Sequence, residues 1–304
     1  FGKKTGKELL PLMKDFYLLS HIRKPEFMGN TRTYDKRHEQ IADLPWSTEE
    51  INERLEQFKK LSDRVEKLYA TVPSNRKDAY FEMIQYPVQA SNEMNKKMLY
   101  AQFARHTPSD SASLWKKSDA AYDSIVSLTR RFNSLLDGKW NHIISTAPRG
   151  LIVFDKVKRT ASSTALVSSP APLQLWNGTE HDAVTGQHTV IDGLGHSGKA
   201  IYLGKGGTVE YEYRNFRKDS LTVEVCLVPT HAVEGGKLRF AVSTDDREPQ
   251  VFDCETAEYS EEWKVNILRA QAVKTARFPS GSRKGRIKIT ALDEGVVIDQ
   301  IRLR

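Results

Sequence analysis

Two cysteines in 304 residues are too few for a disulfide framework, and Cys226 and Cys254 show no metal-ligand spacing. Both fall in stretches that read as strands, so buried free thiols are the first expectation and a bridge the alternative. Long apolar runs are missing too, none approaching the roughly 20 residues a spanning helix needs, so no membrane partner is expected. The chain lacks an initiator Met and a basic-then-apolar leader at Phe1, which makes a fragment or processed product the expectation. A strong excess of one charge is also absent: 46 Lys and Arg stand among 39 Asp and Glu. The net charge of +7 favours acidic partners in general, whether nucleic acid, anionic lipid or acidic polysaccharide.

What is present describes a soluble globular protein of two domains, with 39% hydrophobic and 28% charged residues. Leu9, Met13, Phe16, Tyr17 and Ile22 recur at helical spacing until Arg23-Lys24-Pro25, where the residue before proline avoids the α region. A polar stretch runs from Gly29 to Asp43. Ser47 and Glu50 then form a capping box, with Trp46 and Ile51 placed as a hydrophobic staple. Ile51, Leu55, Phe58, Leu61, Val65, Leu68 and Val72 mark a second helix. A third starts at Ser74 and runs through Tyr80, Ile84, Val88, Met94 and Met98, with a kink expected at Pro87. The fourth, from Trp115 through Leu135, closes at Asp137-Gly138. Short connections between such helices predict an antiparallel bundle over residues 1–149.

Beyond Gly150 the period changes. Ser162, Ser163, Ser168, Ser169, Pro170 and Pro172 predict a linker and irregular segment over residues 150–180. Alternation at Val209-Tyr211-Tyr213, Leu221 to Leu227, Leu238-Phe240-Val242, Ile287-Ile289 and Val296 to Leu303 then predicts an antiparallel β-sandwich over residues 181–304. The fold class is therefore multidomain, helical bundle first and sandwich second.

Chemistry is harder to find. Gly193-Leu-Gly-His-Ser-Gly198-Lys199 satisfies a dinucleotide GxGxxG pattern and nearly satisfies a phosphate-binding loop. Ala200 stands where that loop needs Ser or Thr, and a strand rather than a helix follows, so a tight turn is the better reading. Position 199 is Lys, which also rules out a nucleophile elbow around Ser197. The acid pairs Asp245-Asp246, Glu261-Glu262 and Asp293-Glu294 are adjacent, so their side chains diverge, and solvated turns explain them better than a glycosidase pair. His181, His188, His196 and His231 lack zinc-binding spacing, so no metal is expected. Trp176 and Trp263, with Tyr211, Tyr213 and Tyr259, are candidate faces for sugar stacking, although packing is the commoner use of such rings. The strand aromatics alternate with Glu, which argues against nucleic acid.

Several strings taken together resemble the carboxy-terminal region of glycoside hydrolase family 115, the xylan α-1,2-glucuronidases. They are Arg23-Lys-Pro-Glu26, Tyr86-Pro-Val88 with Asn92 to Asn95, Gly138-Lys-Trp-Asn-His142, Gly193 to Gly198, Leu227 to His231, Gly236 to Ser243, Ser260 to Lys264 with Asn266 to Arg269, and Ala291 to Gln300. The resemblance implies a helical domain and a terminal sandwich that follow a catalytic barrel belonging to the same polypeptide. Family members remove glucuronic acid or its 4-O-methyl ether from xylan by inverting hydrolysis, with the acid and base on that barrel. No catalytic residue and no cofactor are carried onto this chain. Expected from the resemblance are Lys139, Trp140, Asn141 and His142 near the substrate, glucuronoxylan as substrate, a homodimer, and a bacterial extracellular or periplasmic setting. After His142 the family commonly continues Met-Met, whereas this chain reads Ile143-Ile144. The alternative is an autonomous carbohydrate-binding module for acidic xylan.

Overall fold

A computed structural model describes residues 1–29, 41–162, 164–245, 247–279 and 282–304. Most of the polar stretch expected from Gly29 to Asp43, together with Ser163 and Asp246, lies outside the described residues. The chain divides into two compact units, Phe1–Pro170 and Ala171–Arg304. No described helix is long and apolar enough to cross a membrane.

In the first unit, α1 (Lys3–Ile22) ends as Arg23 turns extended ahead of Pro25. The capping box opens α2 (Thr48–Tyr69): the Glu50 amide donates to Ser47 Oγ at 3.2 Å and the Ser47 amide donates to the Glu50 carboxylate at 2.7 Å. Ile51, Phe58, Leu61, Val65 and Leu68 form its buried stripe. The third expected helix is continuous but not uniform. A 3-10 turn at Ser74–Arg76 leads into α3 (Lys77–Tyr80), a π segment over Phe81–Gln85 and then α4 (Tyr86–His106). Pro87 has no amide for the Met83 carbonyl, and its ring crowds that carbonyl. The widened π turn just upstream relieves the crowding, so the expected kink takes this form. The fourth helix, α5 (Ser111–Gly138), runs antiparallel to α4: Ser118 Oγ donates to the Lys97 carbonyl at 2.7 Å, and Tyr86 Oη meets Thr129 Oγ1 at 3.2 Å.

The central helix α4 has no exposed residue, and the polar side chains on its buried faces fasten neighbouring chain. Gln102 accepts from the Leu44 amide and donates to the Leu44 carbonyl, both at 3.0 Å. Asn95 accepts from Arg54 Nε at 2.6 Å, while the Arg54 guanidinium lies 5.1 Å from the Trp46 ring centre and 4.9 Å from that of Phe58. His106 spans Asp43 and the Thr164 carbonyl, at 2.5 Å from each. Lys97, fully buried, donates to the carbonyls of Val153 at 2.7 Å and Asp155 at 2.9 Å. These last bonds differ from the expectation of a linker from residue 150. Val153 and Val157 are core residues of the helical unit, because the chain after α5 folds back onto α4.

The second unit is a sandwich with its core between two sheets. Its strands are β1 (Gln174–Asn177), β2 (Ala183–Thr185), β3 (His188–Asp192), β4 (Lys199–Leu203), β5 (Thr208–Tyr213), β6 (Ser220–Leu227), β7 (Arg239–Thr244), β8 (Gln250–Asp253), β9 (Ala272–Pro279), β10 (Gly285–Ala291) and β11 (Val296–Leu303). One sheet is ordered β3-β4-β11-β6-β9 with β1 also on β11, and the other β2-β5-β10-β7-β8. β1 opens within the expected linker, and α6 (Glu261–Arg269), which the alternation did not predict, stands between β8 and β9. Alternation aims Val209, Tyr211, Ile287, Ile289, Val223 and Val225 inward, all fully buried. Cys226 and Cys254 are buried free thiols, each pushed up to about 12 by desolvation. Cys254 lies one residue past β8 rather than inside a strand.

Desolvation also lowers the Lys97 ammonium to about 8, well below its ordinary value near 10.5. Between those two values this lysine binds less proton in the folded chain than in the unfolded chain, so its contribution to stability rises with pH across that window. The neutral amine still has two N–H groups for its two carbonyl partners. Unfolding of residues 1–304, followed by helical ellipticity in urea, is therefore expected to show a midpoint that climbs from pH 8 to 10. In Lys97→Met that climb shrinks to what Arg23 and Arg54, each lowered by burial to about 9, contribute, whatever the overall loss of stability.

Candidate functional site

Helix α5 loses helical geometry before its expected end. Leu135 is extended, and Leu136 (φ 51), Asp137 (φ 55) and Gly138 (φ 82) follow in the left-handed region. The sequence pointed to Gly138 as the closing residue; the structure places two non-glycine residues in the same conformation before it. Left-handed backbone costs roughly 1–2 kcal/mol at each such residue. Burial of Leu135 with Phe81 and Phe132, joined by Trp140 and Ile144, offsets the cost, as does the bond from Asn133 Nδ2 to the Ile144 carbonyl at 2.8 Å.

This turn carries Lys139, Trp140, Asn141 and His142. Trp140 packs into the aromatic cluster and its buried indole N–H has no acceptor among the described residues. Lys139 Nζ lies 4.8 Å from its ring centre. Lys139, Asn141 and His142 are exposed, His142 on left-handed backbone. The arrangement offers donors to an anionic or hydroxylated ligand from a braced turn. It does not supply a facing pair of carboxyl groups for acid and base.

The glycine string Gly193 to Gly198 does cradle an anion, but that anion is the protein's own. Asp299, fully buried, accepts from the His196 amide at 2.9 Å, the Ser197 amide at 3.3 Å and Gln271 Nε2 at 2.9 Å. Ser197 Oγ lies 3.1 Å from the same carboxylate and donates at 2.6 Å to the Lys199 carbonyl. Gly195 has φ 76, and a Cβ there would stand 2.2 Å from Asp299 Oδ1. The tight turn expected from sequence is present, and its occupant explains why the string imitates a phosphate loop: backbone amides converge on negative charge in both. His196 Nε2 also meets the Arg269 carbonyl at 3.1 Å, which ties the turn to the end of α6.

The stacking candidates separate. Tyr211 and Tyr213 are 0% and 2% exposed and face the core, which removes them as sugar platforms. Their strand period aims them inward while Glu210 and Glu212 face out. Trp176 is partly buried, 6.1 Å from the Tyr211 ring, and lines an open cleft with Gln174, Leu175, Glu212, Arg214 and Asn215. Trp263 sits on α6, 5.9 Å from the exposed ring of Tyr259.

The acid pairs are structural. Asp293 holds Arg239 through both carboxylate oxygens at 2.8 and 2.9 Å, and this hydrogen-bonded pairing lowers it to about 2. Glu294 accepts from the Lys205 amide at 2.8 Å. Glu261 and Glu262 occupy the first turn of α6 beyond its Ser260 cap, where acids favour the helix dipole. Asp245 accepts from the Arg286 amide at 2.9 Å and the Tyr213 hydroxyl at 3.2 Å. Among the described residues no three His, Cys, Asp or Glu side chains gather as a metal site. Sequence reasoning missed the role of Asp299 and the Arg214 loop. Their signals were an acid inside the apolar run Val296 to Leu303 and the cationic run Arg214-Asn-Phe-Arg-Lys218 between two strands.

Residues 179–304 match the glycosyl hydrolase family 115 C-terminal domain. Over 100% of its length the chain is 45% identical, with a TM-score of 0.87, to a family GH115 4-O-methyl-α-glucuronidase, BtGH115A, described as having specificity for decorated arabinogalactans. The chain spans 40% of that enzyme. An exo-β-1,3-galactanase from Phanerochaete chrysosporium is 17% identical over 45% of this chain and 30% of its own, with a TM-score of 0.35. The module CsCBM6-3 from Clostridium stercorarium, solved with cellobiose, is 14% identical over 43% of this chain and 92% of its own, with a TM-score of 0.33. Likeness at those two scores carries no argument. No curated protein matches the chain.

Gly195→Ala is expected to lower the stability of the sandwich by about 3 kcal/mol or more, since it adds backbone strain and collides with a buried carboxylate. Gly193→Ala, which meets open space, bears the strain alone and loses about 1 kcal/mol. Urea denaturation followed through the strand signal distinguishes the two; equal losses would mean that the carboxylate does not fill the turn.

Proposed function

This chain belongs to glycoside hydrolase family 115, and from that membership we propose that it is the non-catalytic carboxy-terminal portion of a longer α-glucuronidase. In this reading it supports a catalytic barrel carried elsewhere in the same polypeptide. The observation that carries the reading is identity of 45% over the whole chain to 40% of a 4-O-methyl-α-glucuronidase. The exposed donors Lys139, Asn141 and His142 suit a scaffold that reaches toward an acidic sugar bound on another domain. None of them is placed as an acid facing a base.

The substrate class is a polysaccharide decorated with glucuronic acid or its 4-O-methyl ether. The resemblance expected glucuronoxylan, while the relative is described as specific for decorated arabinogalactans, so both polymers belong in the assay. Pairing of two copies of the polypeptide and a bacterial extracellular or periplasmic setting complete the proposal. Sedimentation of the longer polypeptide and cell fractionation test those two parts.

Residues 1–304 alone are expected to release no glucuronic acid from either polymer, while the polypeptide extended through its barrel releases it. In that longer enzyme His142→Ala is expected to lower kcat/KM about tenfold, the loss of roughly 1.4 kcal/mol of binding, with unfolding unchanged because the side chain is exposed. Release by residues 1–304 would reject the scaffold reading.

A further inference from the structure

We propose that the end of the sandwich around Arg214 is a binding site for a carboxylate-bearing glycan. The choice of anion rests on the α-glucuronidase reading; the site itself rests on the geometry of the sandwich. Gln174, Leu175 and Trp176 of β1 line one side of an open cleft of about 350 Å³, and Glu212, Arg214 and Asn215 line the other. β1 and β5 belong to different sheets, so the cleft lies where the two layers part.

The cationic side is held in shape by its own hydrogen bonds. The Gln174 amide reads the Arg214 backbone both ways, accepting from its N–H at 3.3 Å and donating to its carbonyl. Asn215 turns the chain on left-handed backbone (φ 59), which Asn tolerates better than most residues. Phe216 is then buried, 6.1 Å from Tyr213 and edge-on to it. The Phe216 amide donates to the Arg283 carbonyl at 3.0 Å, which braces the loop after β5 against the loop before β10.

That brace gathers Arg217, Lys218, Arg283 and Lys284 at one end of the unit, all exposed. Among the described residues no ion pair joins these four to an acid. Arg214 does pair with Glu212 at 3.0 Å, but 76% of its side chain is exposed. An ion pair so open to water contributes little, so a ligand carboxylate is free to take the guanidinium fork in its place. Trp176 is pinned from behind by Tyr211 and supplies the apolar wall.

A sugar ring that carries a carboxylate matches this pairing of an aromatic wall with a guanidinium. A neutral sugar leaves the cations unmatched, and a simple sulfated polymer has no use for the ring. A polymer bearing repeated uronates would engage several of the cations together.

The test uses residues 1–304 in affinity electrophoresis through gels holding glucuronoxylan, the same polymer with its carboxyl groups reduced to alcohols, or dextran sulfate. Retardation by glucuronoxylan is expected to weaken about tenfold on carboxyl reduction and comparably in Arg214→Ala. The exposed double variant Arg217→Ala with Arg283→Ala is expected to weaken it too. Trp176→Phe keeps the contact with the core, shortens the wall, and is expected to weaken glucuronoxylan binding but not binding to dextran sulfate. Circular dichroism of each variant is expected to match the parent. No retardation by glucuronoxylan, equal retardation by the reduced polymer, or wild-type retardation of folded Arg214→Ala would each overturn the site. The two readings fail separately: uronate binding by residues 1–304 stands even if the longer polypeptide releases no glucuronic acid, and release stands even if the cleft binds nothing.

Discussion

A carboxylate taken out of water must have its hydration replaced by donors, or burial costs several kcal/mol. In the sandwich the replacement for Asp299 comes from three donors: two backbone amides of the glycine turn and the side-chain amide of Gln271 just past α6. Asp299 sits where the register of β11 against β6 shifts. There one edge of β11 passes from pairing with β4 to pairing with β1. Gly178 follows β1 into that gap, and its amide reaches the Asp299 carbonyl at 2.6 Å, an approach so close that a Cβ would stand 2.3 Å from the Ile298 carbonyl. The turn, the bulge, the end of α6 and the first strand thus meet at one buried residue.

The helical unit solves a related problem with two cations and a neutral amide. Lys97, Gln102 and Arg105 put polar ends inside a bundle, and each finds backbone or carboxylate oxygen on a segment outside the long helices. Those segments are held against α4 by these bonds as well as by short-range bonds of their own, such as that from the Phe154 amide to the Leu151 carbonyl at 3.0 Å. That is why residues 151–157 behave as part of the core although they read as linker.

Much of this was legible in the sequence where one physical pattern decides the outcome. The capping box at Ser47, the stripe of α2 and the strand alternation at Val209 or Leu221 each follow from local chemistry and a single period. The π segment before Pro87 was legible as a kink but not as a kind of kink. What escaped depends on partners distant in sequence. Lys97 looks like a surface lysine until Val153 is seen against it, and the glycine string looks like a phosphate loop until Asp299 is placed inside it. Trp140 could be read as a ring near a substrate; that its indole would pack beneath a turn of left-handed residues could not. Nothing in the spacing of Arg214 and Arg283 foretold that one backbone bond would bring their loops together.

The position of β11 has a consequence for how the sandwich comes into being. It is the last strand in chain order, yet it lies inside its sheet, hydrogen-bonded to β1, β4 and β6. Until it has been made, β1 has no neighbour in that sheet, β4 has only β3, and the glycine turn has no anion to close around. Pairing β1 with β11 joins residues from opposite ends of the unit, the kind of long-range closure that slows folding. A nascent chain lacking this strand would hold unpaired edges on either side of the gap, open to wrong pairing during synthesis. Assembly of the layer therefore waits on translation of its centre, while the bundle, built from local helices upstream, has no such dependence.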